Sequence, residues 1–315
     1  MSNCHICLGV VENGDAYHAN CCKDLFGHPK PPVFPYSWAE LNSLAKKIVN
    51  RRIVVPGVQP KLSLHLEKRD REQPSRLTIV GLEGNLIMKP PVVEYPEMPE
   101  LEHLVMRMAS LFNIKTAVCG LLPMKSGELC YLSKRMDRLD GRKLHMEDFC
   151  QITDNLTEQK YRGGSMEKVA KTILQRCSNT GLDALRLFEM TVFCFLTGNS
   201  DMHLKNFSVL HRSSDEVILS PAYDLLPVKL LLPEDNEEMA LPMLGKKSKF
   251  RWDHFEKWGS DSLLLNSAQI KNVHKRFTRA IPESLALVSC GFAGQENQEL
   301  LADLIRDRAE RLTLL

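Results

Sequence analysis

The chain has 315 residues, which is enough for one large two-lobed domain or two ordinary ones with a sizeable core. Apolar residues make up 43% of it and charged residues 25%, as in ordinary globular proteins. The formal net charge of +2 excludes the strong field expected of a chain that binds nucleic acid or an anionic membrane directly.

The ten cysteines are more than average for this length. The first residues lack the basic start and the apolar run of a secretory signal, and no segment approaches the ~20 uninterrupted apolar residues of a membrane span. We therefore expect reduced thiols in a cytosol and no membrane contact, with export by a route other than the Sec pathway left open.

Residues 1–28 contain two candidate ligand pairs, Cys4-x2-Cys7 and His18-x2-Cys21. Four ligands of these types could hold one tetrahedral zinc ion and stabilise a segment too short to have its own core. The alternative is a stretch of unligated cysteines, which these spacings do not exclude.

Residues 29–136 have the pattern of a small, β-rich lobe. The proline-rich Pro29–Pro35 predicts a stiff linker, and a helix is predicted at Trp38–Asn50. The stretch Ile53–Leu66 turns at its Pro-Gly pair and then alternates as a strand does. Such a turn can present backbone N–H groups to phosphates, although an ordinary hairpin is an equal alternative. Further strands are predicted at Thr78–Val80, Asn85–Lys89 and Glu128–Ser133.

Lys89 ends one of these strands, and Glu102 lies in a predicted helix, Pro99–Phe112, off its apolar stripe. In phosphotransferases of the protein-kinase type, a strand lysine holds the ATP phosphates and a helix glutamate orients it. Here only position in the chain favours that role over a solvated surface pair, which is the usual situation of Lys and Glu.

Residues 137–315 are predicted to form a mostly helical second lobe. A β-rich first part and a helix-rich second part together predict an α+β fold with two lobes, like that of protein kinases. Helical periodicity predicts helices at Met166–Arg176, Leu182–Leu196, Phe250–Trp258, Ser267–Phe277 and Gln298–Leu312.

A polar loop after the second of these helices holds Asp201 and Asn206. Two short predicted strands follow, Phe207–Leu210 and Val217–Leu219, and then Asp224. Phosphoryl transfer needs one carboxylate to orient the attacking hydroxyl and accept its proton, and oxygen ligands for Mg²⁺. We assign the first role to Asp201 and the second to Asn206 and Asp224. Either residue type alone would indicate a turn; the joint order is what indicates this chemistry.

Several sequence blocks occur in a fixed order: Gly57–Lys61, Ile87–Pro90, Leu101–His103, Arg135–Arg138, His145–Gln151, Asn199–Asn206 and Leu219–Pro227. Together they resemble the HipA family of bacterial serine/threonine kinases, the toxins of toxin–antitoxin pairs, over residues ~50 to ~230. The opening segment, with its Tyr17-His18 and Leu25–Gly27, is similar to short HipT-type members, which lack the N-terminal subdomain of full-length HipA.

The resemblance implies a bilobal kinase-like fold that uses ATP and Mg²⁺. It makes Asp201 the catalytic aspartate, Asn206 and Asp224 the metal ligands, and Lys89 the ATP lysine, with Glu102 as its partner. The other residues placed at ATP are Pro56, Gly57, Val58, Gln59, Pro60, Lys61, Lys134, Arg135, Met136, His203, Lys205 and Tyr223.

The resemblance also implies a protein substrate, in this family typically an aminoacyl-tRNA synthetase, in the bacterial cytoplasm. The expected partners are a HipB-like helix-turn-helix antitoxin and a small protein that replaces the missing N-terminal subdomain. Two alternatives stay open: a small-molecule kinase, and a non-catalytic protein that binds nucleotide or titrates the antitoxin. One departure is clear. The family's loop carries a serine just before its glycine, and its autophosphorylation inactivates the kinase, whereas Ile53–Gly57 has no hydroxyl.

Overall fold

The computed structural model describes residues 2–12, 14–41, 43, 61–67, 75–80, 84–139 and 141–315. The chain divides into two compact units. The first unit comprises Met1–Arg107, Ala117–Arg135 and Cys290–Gly294, and the second comprises Met108–Thr116, Met136–Ser289 and Gln295–Leu315. Within the described ranges, no helix combines the length and the apolar character needed to cross a membrane.

The first unit is built on a five-stranded antiparallel sheet, in which the strands lie in the order Arg76–Val80, Leu62–Glu67, Leu86–Lys89, Leu129–Lys134 and Cys119–Pro123. Residues 38–41 and 43 are helical, and the other residues of the predicted helix, 42 and 44–50, lie outside the described residues. The elements of this part of the chain are β1 (Ser2–Asn3), β2 (Val10–Val11), α1 (Ala19–Phe26), β3 (Leu62–Glu67), β4 (Arg76–Val80), β5 (Leu86–Lys89), α2 (Met98–Met108), β6 (Cys119–Pro123) and β7 (Leu129–Lys134).

Alternation explains why β3 is a strand, because Leu62 and Leu64 point into the core while His65 is exposed. Strand β6 was not predicted from the sequence. Its first four residues, Cys119–Leu122, are all buried, so the strand shows no alternation of polar and apolar positions. A short apolar run of this kind does not reveal its secondary structure by periodicity.

The second unit is mostly helical and contains a three-stranded antiparallel sheet of His145–Asp148, Ser208–His211 and Val217–Leu219, in that order. Its elements are the 3₁₀ helix Ala109–Phe112, β8 (Arg138–Leu139), β9 (Arg142–Lys143), β10 (His145–Asp148), α3 (Phe149–Ile152), the 3₁₀ helix Thr157–Gln159, α4 (Met166–Arg176), α5 (Thr180–Leu196), the 3₁₀ helix Leu204–Asn206, β11 (Ser208–His211), β12 (Val217–Leu219), α6 (Val228–Leu231), α7 (Trp252–Leu263), α8 (Ser267–Val288) and α9 (Gln295–Arg311).

Sequence periodicity located these helices better than it located their ends. The predicted bounds of α4 agree with the structure, whereas α8 continues beyond the predicted end at Phe277 to Val288, with Pro282 inside it. Strand β10 was missed because its sequence, His-Met-Glu-Asp, is polar and its residues are exposed or half-buried. It pairs with β11, so the predicted hairpin is the centre and edge of a three-stranded sheet.

Helix α5 is the buried centre of the second unit, and its end determines where the following loop begins. Gly198 has φ of 75°, and its N–H donates to the carbonyl of Phe195 at 3.2 Å. The next N–H, that of Asn199, donates to the carbonyl of Cys194 at 2.9 Å. These two bonds form a Schellman motif, in which glycine takes the left-handed position at no steric cost. The chain therefore leaves α5 in a fixed direction.

We predict that Gly198→Ala destabilises the chain by about 1–3 kcal/mol, because alanine is strained at positive φ and its Cβ would meet a full site. That Cβ would lie 2.5 Å from Leu304 Cδ2 and 3.2 Å from Lys229 Cβ. The matched control is Gly181→Ala in the same helix, where an added Cβ meets no atom within 4 Å. Urea unfolding should place the control within about 0.5 kcal/mol of the parent. Equal stabilities for the two variants would refute the prediction.

Candidate active site

The loop between α5 and β11 carries the predicted catalytic aspartate in a series of tight turns. His203 N–H donates to the carbonyl of Asp201 at 2.8 Å, and Asn206 N–H donates to the carbonyl of His203 at 2.9 Å. The second turn belongs to the 3₁₀ helix Leu204–Asn206. Hydrogen bonds within the loop therefore fix its backbone from Asp201 to Asn206, the stretch that contains the predicted catalytic and metal-binding residues.

The side chain of Asp201 reaches the surface, with 43% of it exposed. Its Oδ1 accepts a hydrogen bond from the hydroxyl of Tyr161 at 2.6 Å, and its Oδ2 lies 4.0 Å from Nε2 of His203. Burial, followed by the hydrogen bond to Asp201 and the charge of that carboxylate, raises the pKa of Tyr161 above its ordinary value. The phenol therefore stays protonated, and the carboxylate is seen here accepting a bond from a hydroxyl group.

Asn199 connects this loop to the chain that follows β12. Asn199 is buried, and its side-chain Oδ1 accepts a hydrogen bond from the N–H of Asp201 at 3.3 Å. Its Nδ2 donates to the carbonyl of Asp224 at 3.2 Å. One amide thus satisfies one polar backbone group on each side and holds the two aspartates in a fixed relation.

The two predicted metal ligands lie at the same end of the β11–β12 hairpin. Asn206 lies two residues before the start of β11, and Asp224 follows β12. The antiparallel pairing of the hairpin continues at this end, where the Ser220 N–H donates to the carbonyl of Ser208 at 2.9 Å. Nδ2 of Asn206 donates to the carbonyl of Asp201 at 3.0 Å, which leaves its Oδ1 as a ligand oxygen. Asp224 has φ of 60°, an uncommon conformation that aspartate tolerates better than most residues and that is concentrated at functional sites.

Tyr223, predicted at ATP, has its hydroxyl engaged inside the site. That hydroxyl lies 2.6 Å from Oγ of Ser208 and donates to the carbonyl of Lys205 at 2.8 Å. Burial raises the pKa of Tyr223 above its ordinary value. In this structure the residue therefore ties the 3₁₀ helix to the hairpin, next to Asp224.

Two further predicted residues lie on the loop in different environments. Lys205 is partly exposed, and its Nζ lies 3.8 Å from Oδ2 of Asp148, the residue that caps α3. His203 is buried, and burial lowers its pKa, which the nearby Asp201 carboxylate partly opposes. Neutral His203 packs edge-on against the ring of Tyr161, with centroids 5.0 Å apart. It thereby supports the residue that contacts Asp201.

In the first unit, Lys89 and Glu102 form a buried ion pair. Lys89 Nζ lies 2.5 Å from Oε1 of Glu102, and the two side chains are only 6% and 0% exposed. The interpretation as a solvated surface pair is therefore wrong. Burying two charges costs several kcal/mol for each ion, and their attraction offsets this cost only in good geometry. Strand β5 ends at Lys89, and helix α2 carries Glu102, as the sequence predicted.

The other residues placed at ATP are less informative. Pro56, Gly57, Val58, Gln59 and Pro60 lie outside the described residues. Lys61 is exposed and directly precedes β3.

The predicted adenine segment begins where the last strand of the first unit ends. Lys134 is the final residue of β7, the N–H of Arg135 donates to the carbonyl of Asn85 at 2.9 Å, and Met136 is half-buried. Their role at adenine stays a prediction.

At the start of the chain, the structure brings together the four side chains predicted as zinc ligands. One ligand atom from each of Cys4, Cys7, His18 and Cys21 lies within 4.8 Å of the others. All ten cysteines are free thiols, so no disulfide competes for these sulfurs in this structure.

Sequence reasoning missed two residues of the loop's surroundings. Tyr161 lies in a polar stretch 40 residues before Asp201, and nothing in that stretch marks its contact. Asn199 is the first residue of the sequence block Asn199–Asn206, but its place in the block did not predict a role for its side chain. Its spacing of two residues from Asp201 is the signal that could have indicated a side chain folded back onto the loop backbone.

Comparison with known proteins gives this arrangement a family. The HipA-like C-terminal domain family matches residues 53–285. Among curated relatives, Y4mE of Sinorhizobium fredii is 29% identical over 84% of the chain, and a Haemophilus influenzae protein is 28% identical over 69% of it. Both are named only as candidate kinases, and the chain spans 64% of the length of each.

Two solved structures share the fold. One is HipA of Shewanella oneidensis, solved with HipB and operator DNA, with a TM-score of 0.67 and 18% identity over 90% of this chain and 73% of that one. The other is the Helicobacter pylori proinflammatory kinase CtkA, with a TM-score of 0.54 and 15% identity over 72% of this chain and 87% of that one. These likenesses confirm the predicted α+β, kinase-like fold. Because the family match covers most of its length, the chain belongs to the family of HipA-like C-terminal domains.

Proposed function

We propose that this protein is a serine/threonine protein kinase that transfers the γ-phosphate of ATP to a hydroxyl group of another protein. The observation that carries the proposal is the loop after α5, which carries Asn206 and the partly exposed Asp201 and is joined by hydrogen bonds to the segment that carries Asp224. The buried Asn199 amide joins the two aspartates through their backbones. Positioning and charge neutralisation are what phosphoryl transfer requires of a protein.

In the proposed reaction, the substrate hydroxyl oxygen forms a bond to the γ-phosphorus, the bond from that phosphorus to the β–γ bridging oxygen breaks, and ADP leaves. Asp201 orients the hydroxyl and accepts its proton. Its observed bond from the Tyr161 hydroxyl supports this role, because a substrate serine or threonine would offer the same donor. Tyr161 must then release Oδ1 or share the carboxylate.

Asn206 and Asp224 have the donor set that Mg²⁺ prefers, an amide oxygen and a carboxylate. Bound Mg²⁺ would neutralise charge on the phosphates. The Nδ2 of Asn206 is already committed to the carbonyl of Asp201, so its Oδ1 is the atom assigned to the ion. Lys205, held near Asp148, is assigned to the transferring phosphate.

The Lys89–Glu102 pair is assigned to the ATP phosphates, with Glu102 fixing the ammonium group. Pro56–Lys61 are assigned to the phosphate-covering loop, and Lys134–Met136 to adenine. The short contact supports this assignment, because it holds the ammonium group in a fixed position, as a lysine that binds ATP phosphates requires.

The substrate and partners are proposed from the family. The Shewanella HipA structure contains HipB and operator DNA, and we propose a helix-turn-helix antitoxin as the corresponding partner here. A protein of translation, such as an aminoacyl-tRNA synthetase, is the proposed substrate, which would make the kinase a toxin of the bacterial cytoplasm. A small accessory protein is proposed as a further partner.

Asp201→Asn should reduce phosphoryl transfer by at least ~10²- to 10⁴-fold, because the amide cannot accept the hydroxyl proton. The measurement is phosphoproteomics of a bacterial lysate incubated with Mg-ATP and either the parent protein or the variant. The matched control is Asp215→Asn, which removes an exposed aspartate from the β11–β12 turn. The proposal would be contradicted if the parent and Asp201→Asn phosphorylated proteins equally, or if phosphate from ATP were found on metabolites but on no protein.

Lys89→Met should lower stability by roughly 3–5 kcal/mol, because it leaves the Glu102 carboxylate buried without its cation. The double variant Lys89→Met/Glu102→Gln should regain most of that stability but remain inactive, since no ammonium group is left for ATP. Urea unfolding and phosphoryl transfer, measured on the same preparations, separate the two effects. Recovery of activity together with stability would show that the pair is structural only.

A further inference from the structure

The N-terminal cluster has the dimensions of a closed metal site. Nδ1 of His18 lies 3.2 Å from Sγ of Cys7 and 3.8 Å from Sγ of Cys21, and Sγ of Cys4 completes the group within 4.8 Å. Ligands at ~2.0–2.3 Å from a tetrahedral zinc ion lie ~3.5–4 Å from one another. Four thiolate and imidazole ligands therefore surround a space that one zinc ion would fill after a small contraction.

The second ring nitrogen of His18 fixes which atom faces the cluster. Nε2 lies 3.0 Å from the carbonyl oxygen of Val10. A carbonyl can only accept, so Nε2 carries the proton and Nδ1 presents its lone pair to the sulfurs. Metal-bound histidines characteristically donate their other N–H in this way, to a backbone carbonyl or a carboxylate.

Backbone N–H groups point at the sulfurs as well. Ile6 N–H and His18 N–H donate to Sγ of Cys4 at 3.5 and 3.4 Å, and Gly9 N–H donates to Sγ of Cys7 at 3.4 Å. These bonds supply positive dipoles to atoms that carry negative charge when they bind metal. A cluster of neutral thiols packed for its volume alone would gain little from such donors.

We propose that Cys4, Cys7, His18 and Cys21 bind one structural Zn²⁺ ion, which closes the loop Cys4–Gly9 against helix α1. All four positions are taken by protein ligands, so the site has no open position for a substrate. This segment precedes residues 53–285, the part matched by the HipA-like family.

The closed loop contacts two elements of the first unit. Leu121 N–H in β6 donates to the carbonyl of His5 at 2.7 Å, and the Tyr17 hydroxyl donates to the carbonyl of Leu121 at 2.9 Å. The approach is close at Gly120, where an added Cβ would lie 2.7 Å from Cγ1 of Ile6. The zinc-closed loop therefore packs on the edge strand of the sheet, and a larger residue at position 120 would force the Ile6 side chain to shift.

The second contact leads to the buried ion pair. Nε2 of His103 in α2 lies 3.0 Å from the carbonyl oxygen of Ile6, a residue between the first two zinc ligands. His103 is adjacent to Glu102, and both are fully buried. The zinc ion therefore fixes the loop that anchors the helix carrying Glu102. A role of this anchoring in ATP binding would rest on the proposed function, whereas the anchoring of α2 by the loop does not.

The first test is metal content. Protein purified without chelator should contain about one zinc ion per chain by plasma mass spectrometry, and Cys21→Ala less than about a tenth of that. Cys22→Ala is the matched control: the adjacent residue is buried in the apolar core, outside the cluster, so its loss should leave zinc unchanged. Absence of zinc from the parent protein, or a disulfide among these cysteines, would overturn the proposal.

The second test uses the intact chain without ATP. Removing zinc with a thiol-modifying reagent and a chelator should accelerate hydrogen exchange in residues 2–26 and, by at least about tenfold, in residues 98–107. Faster exchange in 2–26 alone would refute the anchoring of α2 while leaving the zinc site intact. Because neither readout involves phosphoryl transfer, a failure here is distinguishable from a failure of the proposed kinase activity.

Discussion

The buried amide of Asn199 is the interaction on which the candidate site depends. It accepts from the N–H of Asp201 and donates to the carbonyl of Asp224, two residues separated by the whole β11–β12 hairpin. In a buried environment an unmade polar bond costs about 1–3 kcal/mol, so the amide strongly disfavours any arrangement in which the two segments separate. The Schellman motif at Gly198 fixes the position of the Asn199 backbone relative to the end of α5. The hydroxyl of Tyr223 joins the 3₁₀ helix Leu204–Asn206 to the β11–β12 hairpin. Each of these contacts restricts the positions of Asp201 and Asp224 through the backbone and does not use their carboxylate oxygens.

Each unit also keeps charge in its interior. The Lys89–Glu102 pair would be replaced at little cost, or with a gain in stability, by apolar side chains if only the fold mattered. The second unit likewise places buried Glu189 against Arg276. That second pair joins α5 to α8 and lies away from the loop, so a buried ion pair alone does not identify a functional site. The first pair differs from the second in its place at the end of β5, and this place is the reason for proposing it as the pair that holds the ATP phosphates.

Much of this fold could be predicted from the sequence because its helices are amphipathic and its hairpin is short and local. Helical periodicity predicted both ends of α4 correctly. The order of Asp201, Asn206, the hairpin and Asp224 indicated the loop between α5 and β11. Strands β6 and β10 were missed because one is apolar on both faces and the other is polar, so neither alternates. The role of Asn199 depends on a carbonyl 25 residues away, and burial of Glu102 depends on what packs over α2. Such tertiary contacts leave no local pattern. By contrast, the spacing of Cys4, Cys7, His18 and Cys21 indicated side chains that the structure brings together, because all four lie within one short segment.

The most direct measurement is the single-turnover rate constant of phosphoryl transfer at saturating Mg-ATP in Asn199→Asp and Asn199→Ala. Asn199→Asp keeps the oxygen that accepts from Asp201 but loses the donor to Asp224, whereas Asn199→Ala loses both bonds. The rate constant should fall by at least ~10²-fold in both variants while the fold is retained, since small misplacements of catalytic groups have effects of that size. Asn179→Ala is the control, because it removes the amide that caps the other end of α5 and should cost stability without a comparable loss of rate. Parent-like rates in both Asn199 variants would contradict the coupling of the two aspartates through this amide.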